Sequence, residues 1–483
     1  MVSLIGGGPG ETELITVKGL KRLREADCII YDRLSSPELL LEAKKGCELI
    51  YVGKESHNHT MKQEEMNLLL VEKAKQYEKV VRLKGGDPYV FGRGGEEALV
   101  LREYGVPFEV VPGISSALAG LCYAGIPITH RGVAMGFHVV TAHNKRDELA
   151  DIDFEAMARG KDTCVFLMGL SKVKEIAQKL MEAGMSPLTP AAVISKATTK
   201  EQRTCVAPLA DIADEVALAA LPSPALIVVG EVVKLREQLN FFEQKELFGK
   251  HYLVTKIGTE QSRLGVLLQE MGAAVTEVTT GVIQNKKVSF SKEMLQQADW
   301  LVFTSVHGVQ AFFENLRESC LDVRSLWHCK IASIGKKTSA ELERFGICPD
   351  LEPETANAKA LAKALQQEVS GSEVLLYLKA KETENTLREA LADKCEFREI
   401  VIYENHNALS EASRTEILAE SCDGIFFTCA SSARRLLAGQ GTQTVCFSIG
   451  EQTTKALTEC GVADIREAVR ADYEALVELA TTR

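Results

Sequence analysis

Two charged side chains stand where two predicted strands end. Asp32 closes the apolar strand CIIYD, and Lys54 closes the strand ELIYVGK. If both side chains reached one pocket, they would form a proton acceptor and a proton donor, with pKa values tuned by burial and by each other. A single Asp or Lys at a strand end is more often a solvated charge, so the spacing alone leaves both interpretations open.

Three turns of small residues follow three other predicted strands: Gly6–Gly10, Gly85–Pro88 and Ile114–Ala117. Residues without bulky side chains let a ligand lie close to the backbone. The first turn does not complete the dinucleotide-binding pattern G-x-G-x-x-G, because Glu11 occupies the place of the third glycine. Ordinary turns and helix caps explain all three segments about as well as a ligand site does.

Positive side chains near these turns could hold the carboxylates of an anionic substrate, although each alone would be an ordinary surface charge. They are Arg82, Lys84, Arg93, His130 and Arg131. The net charge of -11 argues against a nucleic-acid partner. It does not exclude a small anion, because salt screens distant charges and leaves the local ones to decide.

Short apolar strands alternate with helical stretches from residue 1 to about 240, which predicts an α/β fold with largely parallel sheets. The 483 residues suggest three to four domains.

No apolar run is long enough to span a membrane, and the opening MVSLIGGGPG lacks the features of a secretion signal. We therefore expect a cytoplasmic protein without a membrane partner. The 13 cysteines form no C-x-x-C pair, so free thiols are expected and no metal site.

An internal repeat occupies the rest of the chain. LVFTSVHGVQAFFENL at 301–316 resembles IFFTCASSARRLLAGQ at 425–440, and KIASIGKKTSAELERFGI at 330–347 resembles TVCFSIGEQTTKALTECGV at 444–462. The repeat predicts two similar α/β domains, in which Thr and Ser residues lie at the carboxyl edge of a sheet, where such folds bind ligands. Two such edges facing each other would form a cleft.

The first half resembles the uroporphyrinogen-III C-methyltransferase family. The tracts that carry the resemblance are GGGPGETELITVKGLKRLREADCIIYDRL, YVGK, RLKGGDPYVFGRGGEEALVLREYGVPFEVVPGIS, GIPITHRG, FLMGL and SPALIVVGEVV. It implies a two-domain tetrapyrrole methyltransferase fold over 1–240, S-adenosyl-L-methionine as the methyl donor and a homodimer formed through this half. The FGRGGEE tract, which related precorrin methyltransferases usually lack, favours uroporphyrinogen III as the acceptor.

By this resemblance Asp32 would be the proton acceptor and Lys54 the proton donor. The methyl donor would contact Pro9, Gly85, Gly86, Asp87, Val90, Ser115, Ser116, Met168 and Ala197. Ser116 and Ala197 depart from the residues that the family commonly has, which puts those two contacts in question. We expect the substrate carboxylates to meet Arg93, His130 and Arg131.

The segment 250–483 resembles uroporphyrinogen-III synthase, through LFGKHYLVTK, the LVFTS and IFFTC strand ends, IASIGKKTSAELERFGICPDLEP and REIVIYENH. Residues 241–249 would be the linker between the halves. The resemblance implies two α/β domains joined by paired segments, with the chain to about 282 packing beside residues from about 405 onward. Tyr403 would assist departure of the leaving group, and the substrate would be bound by Thr304, Ser305, Thr428 and Ser431.

The leading hypothesis is a bifunctional enzyme of sirohaem or cobalamin precursor synthesis. Its second half would cyclise hydroxymethylbilane to uroporphyrinogen III, and its first half would methylate that product twice to precorrin-2. In one alternative the second half is a binding or scaffolding module without activity. In another, both enzymes are retained but the methyl acceptor is a later corrinoid precursor.

Overall fold

The chain forms two compact units in the computed structural model, which describes residues 1–53, 62–143, 148–383 and 385–482. The first unit comprises Met1–Lys250 with Gln269–Ala274, and the second comprises His251–Leu268 with Val275–Arg483. Within these described ranges, no helix is both long enough and apolar enough to cross a membrane.

The first unit holds ten strands and eight α-helices in its described part. The strands are β1 (Val2–Gly6), β2 (Cys28–Tyr31), β3 (Glu48–Tyr51), β4 (Val80–Lys84), β5 (Phe108–Val111), β6 (Phe137–Thr141), β7 (Thr163–Leu167), β8 (Pro190–Ser195), β9 (Arg203–Pro208) and β10 (Ala225–Val229). The helices are α1 (Val17–Glu25), α2 (Gln63–Gln76), α3 (Gly94–Glu103), α4 (Ser116–Tyr123), α5 (Phe154–Arg159), α6 (Val173–Glu182), α7 (Ile212–Ala219) and α8 (Arg236–Leu239).

The strands of the first unit build two sheets of five. The first has the order β3-β2-β4-β1-β5, and all its pairings are parallel. The second has the order β6-β7-β10-β8-β9, in which β6 and β7 are parallel but β10 runs antiparallel to both its neighbours. The prediction of an α/β fold is confirmed. The prediction of largely parallel sheets is correct for the first sheet and wrong for the second, because β8 and β9 form an antiparallel pair and β10 runs against both β7 and β8.

The polar segment expected to link the two halves packs into the first unit instead of running free. Phe242 is 8% exposed and Leu247 is 2% exposed. The Glu243 carboxylate accepts hydrogen bonds from Gln202 Nε2 at 2.7 Å and from Arg236 Nη2 at 2.5 Å. Aromatic packing between Phe242 and Tyr123 adds to this attachment. The segment therefore contributes to the folded core, which its polar composition did not predict.

The Glu109 carboxylate joins strand β5 to strand β1 and to helix α1. It accepts hydrogen bonds from Arg22 Nε at 2.5 Å and Ser3 Oγ at 3.0 Å, and Lys18 Nζ lies 2.7 Å away. The hydrogen bond from Arg22 is the main cause that lowers the pKa of Glu109 to about 2.

We expect Glu109→Gln to lower the free energy of unfolding at pH 7 by about 2 kcal/mol, a figure reduced for partial solvent exposure. Because the folded-state pKa lies below the unfolded one, the stabilisation is complete above about pH 5 and disappears as pH falls toward 2. Urea unfolding of both proteins between pH 7 and pH 2 checks this. A stability difference that stays constant over that range would contradict it.

The remaining strands are β11 (His251–Ile257), β12 (Ala274–Asn285), β13 (Trp300–Phe303), β14 (Lys330–Ser333), β15 (Val374–Ala380), β16 (Glu396–Asn407), β17 (Gly424–Phe427), β18 (Cys446–Ser448) and β19 (Ile465–Glu467). The remaining helices are α9 (Arg263–Glu270), α10 (Lys292–Gln296), α11 (Val306–Glu318), α12 (Lys336–Arg344), α13 (Ala358–Glu368), α14 (Thr386–Leu391), α15 (Glu411–Ala419), α16 (Ala430–Leu437), α17 (Glu451–Glu459) and α18 (Tyr473–Thr481).

These nine strands are hydrogen-bonded in the order β14-β13-β15-β16-β12-β11-β17-β18-β19. We call β13 to β15 and their helices the middle lobe, and β11 with β17 to β19 the outer lobe. The outer lobe is discontinuous in sequence, because β11 pairs with β17 in the register Tyr252 to Gly424. This confirms the prediction that the strand region before about 282 returns to pack with residues beyond 405.

The two long strands β12 and β16 join the lobes. They pair antiparallel from Gly281–Asn407 to Asn285–Tyr403. Arg435 of α16 braces this crossing, since its Nη1 donates to Asn405 Oδ1 at 2.7 Å and its Nη2 donates to the Asn405 carbonyl at 2.5 Å. A Cβ at Gly281 would meet the Arg435 guanidinium and the Asn405 amide, so a larger residue there would require these two side chains to move.

Candidate active sites

Three glycines meet where β1, β4 and β5 end. An ideal Cβ at Gly6 would lie 2.5 Å from the Gly86 carbonyl oxygen, and one at Gly113 would lie 2.7 Å from the Gly6 Cα. Gly86 N donates to the Gly8 carbonyl at 2.7 Å, which ties the first two turns together. Because these contacts involve backbone atoms, no flexible group can move aside for a larger residue. The result is a cradle of bare backbone at the carboxyl edge of the first sheet.

Asp87 fixes the cradle rather than presenting free oxygens. Its Oδ2 accepts a hydrogen bond from Gly113 N at 3.0 Å, and its Oδ1 accepts one from Tyr89 N at 2.7 Å. Gly85 has no room for a side chain, because a Cβ there would lie 2.7 Å from the Leu34 carbonyl oxygen. The loop that begins at Asp32 therefore packs directly on the Gly85–Gly86 turn.

The loop after β8 reaches the same place from the second sheet. A Cβ at Gly10 would lie 2.8 Å from Thr199 Cγ2, and Glu11 N donates to Thr198 Oγ1 at 3.2 Å. Ala197 lies in this loop, so the structure brings it beside the turn that contains Pro9. Ser115 is buried and caps α4, with its Oγ accepting from Ala117 N at 3.3 Å, and Ser116 is the first residue of that helix.

Several non-glycine residues in the loops around the cradle have positive φ. Phe91 and Arg93 follow the Gly85–Pro88 turn, and Lys196 and Thr198 lie in the loop after β8 that contacts Gly10. Met168, which follows β7, also has positive φ. Such conformations cost about 1–3 kcal/mol each and persist where the surrounding structure enforces them, often at functional sites. Val90 and Met168, both predicted donor contacts, are exposed.

Asp32 is held by an arginine at the end of β2. Arg82 Nη2 donates to Asp32 Oδ2 at 2.8 Å, and Leu34 N donates to Asp32 Oδ1 at 3.1 Å. The Asp32 side chain is 26% exposed, so one face of the carboxylate remains open to a substrate. Lys54, its predicted partner, lies outside the described residues.

Behind Asp32 lies a buried ionic network that sequence reasoning missed. Glu97 of α3 is completely buried and accepts from Lys84 Nζ at 2.7 Å and from Arg82 Nε at 3.3 Å. Arg82 and Lys84, expected among the charges for substrate carboxylates, are therefore buried and occupied by protein carboxylates. The available signal was a charged residue on the buried stripe of α3, which is shared by Ala98 and Leu101.

The other predicted substrate-binding cations lie at the surface. Arg93 is paired with Glu96 through bonds of 2.9 and 2.7 Å. His130 and Arg131 are exposed in one turn, with His130 Nδ1 3.0 Å from the Arg131 carbonyl oxygen. No group of three or more potential metal ligands occurs among the residues that the structure describes.

In the second unit, Tyr403 and Ser305 form a hydroxyl pair beside the paired strands. Their oxygens are 2.8 Å apart, and Ser305 Oγ also accepts from Gly308 N at 2.9 Å as the cap of α11. Burial raises the pKa of the Tyr403 phenol. Thr304 Oγ1 lies 3.0 Å from the Tyr377 hydroxyl, so both hydroxyl residues after β13 have tyrosine partners.

The equivalent position after β17 is built differently. Thr428 Oγ1 donates to the Thr255 carbonyl at 3.5 Å, and Ser431 Oγ lies 3.3 Å from Cys429 Sγ. Cys429 is the N-cap residue before α16, and its side chain accepts no hydrogen bond from the backbone of the helix. The four predicted hydroxyl residues thus fall at corresponding carboxyl edges of the two lobes, as the repeat predicted.

A second repeated feature follows the next strand of each lobe. The last residue of the strand, a hydroxyl in the following helix and a glutamate form one hydrogen-bonded chain. In the middle lobe Ser333 Oγ lies 2.6 Å from Ser339 Oγ, which donates to Glu352. In the outer lobe Ser448 Oγ lies 2.6 Å from Thr454 Oγ1, which donates to Glu467 at 2.5 Å.

Comparison with known proteins supports the family resemblance of both halves of the chain. Residues 1–213 match the family of Tetrapyrrole (Corrin/Porphyrin) Methylases, and residues 262–478 match Uroporphyrinogen-III synthase HemD. A protein of Ruminiclostridium josui named "Porphyrin biosynthesis protein HemD" is 36% identical over 469 residues, which cover 94% of this chain and 92% of the relative. The chain belongs to the tetrapyrrole methylase and uroporphyrinogen-III synthase families.

Other relatives match mainly the methylase half. "Uroporphyrinogen-III C-methyltransferase" of Methanocaldococcus jannaschii is 50% identical over 236 residues, covering 48% of this chain and 97% of the relative. The solved structure of "Uroporphyrin-III C-methyl transferase from Thermus thermophilus complexed with S-adenyl homocysteine" is 41% identical, with a TM-score of 0.43, and covers 48% of this chain and 99% of that one.

The recognition of both families, the α/β fold and the enzyme class are thereby confirmed: the chain is a bifunctional tetrapyrrole enzyme with a methyltransferase half and a uroporphyrinogen-III synthase half. The bare backbone cradle formed by Gly6, Gly86 and Gly113 fits a donor that must approach the main chain. A non-catalytic synthase half is not favoured, because one relative aligns over 469 residues that span both halves.

Proposed function

We propose that the methylase half transfers methyl groups to two pyrrole carbons of uroporphyrinogen III, giving precorrin-2 through a singly methylated intermediate. The observation that carries this proposal is the placement of the Asp32 loop against Gly85 of the cradle. The proposed proton acceptor and the proposed methyl-donor site thereby lie at the same edge of the sheet. Holding the reacting groups in line supplies much of the rate of such a transfer.

S-adenosylmethionine, when bound, would supply an electrophilic methyl group. Its site would be lined by the backbone and small side chains of Pro9, Gly85, Gly86 and Ala197, with Ser115 and Ser116 at the start of α4 beside it. Asp87 keeps the neighbouring turns in place through its two backbone hydrogen bonds. Val90 and Met168 complete the predicted set of donor contacts.

Asp32 accepts the proton that the pyrrole system releases as its conjugation rearranges. The Arg82 guanidinium and the Leu34 amide fix the orientation of the carboxylate, and its exposed face is directed away from those donors. In this proposal the substrate carboxylates are bound by Arg93, His130 and Arg131. Arg93 would give up its contact with Glu96 in order to bind a substrate carboxylate. Lys54 is the proposed proton donor.

The synthase half is proposed to close hydroxymethylbilane, with inversion of the last ring and loss of water. Ser305 Oγ accepts the Gly308 amide hydrogen, which leaves the serine hydroxyl hydrogen free to point at the Tyr403 oxygen. Tyr403 can then donate its own hydrogen to the departing hydroxyl group of the substrate. Thr304, Thr428 and Ser431 are proposed to bind substrate carboxylates.

Incubation of the intact protein with hydroxymethylbilane, first alone and then with S-adenosylmethionine, tests both activities. The first incubation should give the type III isomer of uroporphyrinogen, and the second should give the precorrin-2 chromophore. Supplying uroporphyrinogen III directly separates methylation from cyclisation. Failure to methylate it would favour a later corrinoid precursor as the acceptor.

Tyr403→Phe is expected to lower the rate of type III isomer formation on the order of 100-fold, because the leaving hydroxyl loses its proton donor. Methylation of added uroporphyrinogen III should be unchanged. The product isomers are separated by chromatography, and the amount of each is measured as a function of time. Tyr252→Phe, which alters a buried tyrosine of the outer lobe, is the matched control. Equal loss in both variants would assign Tyr403 a structural role only.

We further propose that the protein is a cytoplasmic homodimer assembled through its methylase half. Light scattering on the intact protein tests the dimer, which should have twice the mass of the chain. A monomeric mass at micromolar concentration would refute it.

A further inference from the structure

Glu97 is a completely buried carboxylate that the proposed reaction does not yet use. Its Oε1 accepts hydrogen bonds from Lys84 Nζ and Arg82 Nε, whereas its Oε2 is buried without a hydrogen-bond partner among the described residues. Taking a carboxylate out of water costs several kcal/mol unless opposite charges compensate. Such a group needs a reason beyond packing, since an apolar residue would fill the same place on α3.

The charges around Glu97 balance in number. Arg82 and Lys84 carry two positive charges, and Glu97 and Asp32 carry two negative charges. Burial lowers the pKa of Lys84, and the nearby Arg82 charge lowers it further, while Glu97 opposes both effects. Glu97 is thus the carboxylate that holds both cations in the part of the network described.

The contacts of Arg82 separate a geometric role from an electrostatic one. Besides Asp32 and Glu97, its guanidinium donates to the Leu83 carbonyl at 2.8 Å and to the Ile30 carbonyl at 3.4 Å. These two backbone bonds hold Arg82 against Asp32 even if Glu97 is neutral. The loss of Glu97 therefore changes the charge felt by Asp32 more than the position of Arg82.

Other groups also face this network. Gln63 of α2 places its Nε2 3.4 Å from Glu97 Oε1, and it is neutral. Arg93, at the start of α3, interacts electrostatically with Glu97 but is hydrogen-bonded to Glu96. Among described residues, the charged partners of Asp32 are Arg82 in direct contact and Lys84 behind it.

We propose that Glu97 is a positioning residue for methyl transfer: it offsets the charges of Arg82 and Lys84, so that Asp32 remains basic enough to accept a proton. This rests on the proposed function of the methylase half. Without Glu97, two cations would face one carboxylate and stabilise its ionised form. Asp32 would then be a weaker base.

The test compares the pH dependence of kcat for methylation of uroporphyrinogen III in the intact wild-type protein and in Glu97→Gln. A rate that depends on a general base rises with pH. In Glu97→Gln this rise should move about one pH unit lower, and the plateau should fall about tenfold. The affinity for S-adenosylhomocysteine should be unchanged. Glu103→Gln, the same substitution at the exposed end of α3, should leave the profile in place.

Lys84→Met gives the opposite prediction and remains informative if Glu97→Gln does not fold. Removing a cation should move the rise to higher pH, and the double variant Lys84→Met/Glu97→Gln should return it toward the wild-type position. A purely structural role would produce losses without these opposite shifts. The proposal is overturned if the pH profile of kcat in Glu97→Gln stays at the wild-type position. It is also overturned if the profile of Lys84→Met moves to lower pH.

These outcomes differ from failure of the proposed function itself. If the wild-type protein forms no precorrin-2 from uroporphyrinogen III, the acceptor assignment fails. If wild type is active and Asp32→Asn is equally active, the base assignment fails, and the role proposed for Glu97 fails with it. If Asp32→Asn is inactive but Glu97→Gln has a wild-type profile, only the role of Glu97 is refuted.

Discussion

Asp32→Asn is expected to slow methylation about 1,000-fold while leaving affinity for S-adenosylhomocysteine unchanged. Asparagine has nearly the same shape, so its amide oxygen can still accept from Arg82. It cannot take up the proton that the pyrrole system releases. Single-turnover rates with uroporphyrinogen III measure the chemical step, and calorimetric titration measures donor-site affinity.

Asp214→Asn, at an exposed position of α7, controls for the change of charge and should behave as wild type. The synthase activity of Asp32→Asn provides an internal control, since cyclisation does not involve this carboxylate. Methylation within a fewfold of the wild-type rate would show that another group accepts the proton. A parallel loss of S-adenosylhomocysteine binding would instead indicate that Asp32 shapes the donor site.

Gly113→Ala should reduce affinity for S-adenosylhomocysteine about 100-fold or more. The added methyl group would lie 2.7 Å from the Gly6 Cα and closer still to the Gly86 carbonyl oxygen. Forcing a methyl group into such a site costs about 1–3 kcal/mol, and here only backbone could move to relieve it. The three turns of the cradle would separate, and the donor would lose its closest contacts.

Gly95→Ala is the matched control, because a Cβ at that exposed position of α3 meets no atom within 4 Å. It should leave affinity unchanged and raise stability slightly, since alanine is the better helix former. Calorimetric titration of both variants with S-adenosylhomocysteine makes the comparison. Wild-type affinity in Gly113→Ala would mean that the cradle is not the donor site.

Much of the fold follows from local sequence patterns. Buried strands such as β10 and β13 are continuous apolar runs, and the repeat in the second half predicted matching lobes. The pattern of a strand does not encode its direction, so the antiparallel pairs of the second sheet could not be foreseen. Strand β9 is hard to recognise from sequence because its residues, RTCVAP, contain no long apolar run.

The candidate sites were predictable only in part. Asp32 and the glycine turns stood out because their residue types are unusual at strand ends. The partners of Asp32 did not, because the contact between Arg82 and Glu97 joins a strand to a helix and has no fixed spacing. Gly113 was not recognised because its need for a bare backbone arises from Gly6 and Gly86, which are distant in sequence.

The discontinuity of the outer lobe has a consequence for synthesis on the ribosome. Strand β11 emerges early, but its partner β17 is made about 170 residues later, so β11 must wait through several seconds or more of translation. The middle lobe, which is continuous in sequence, can fold during that interval. Stalling translation before β17 should therefore yield a nascent chain in which the middle lobe resists protease while β11 is cut.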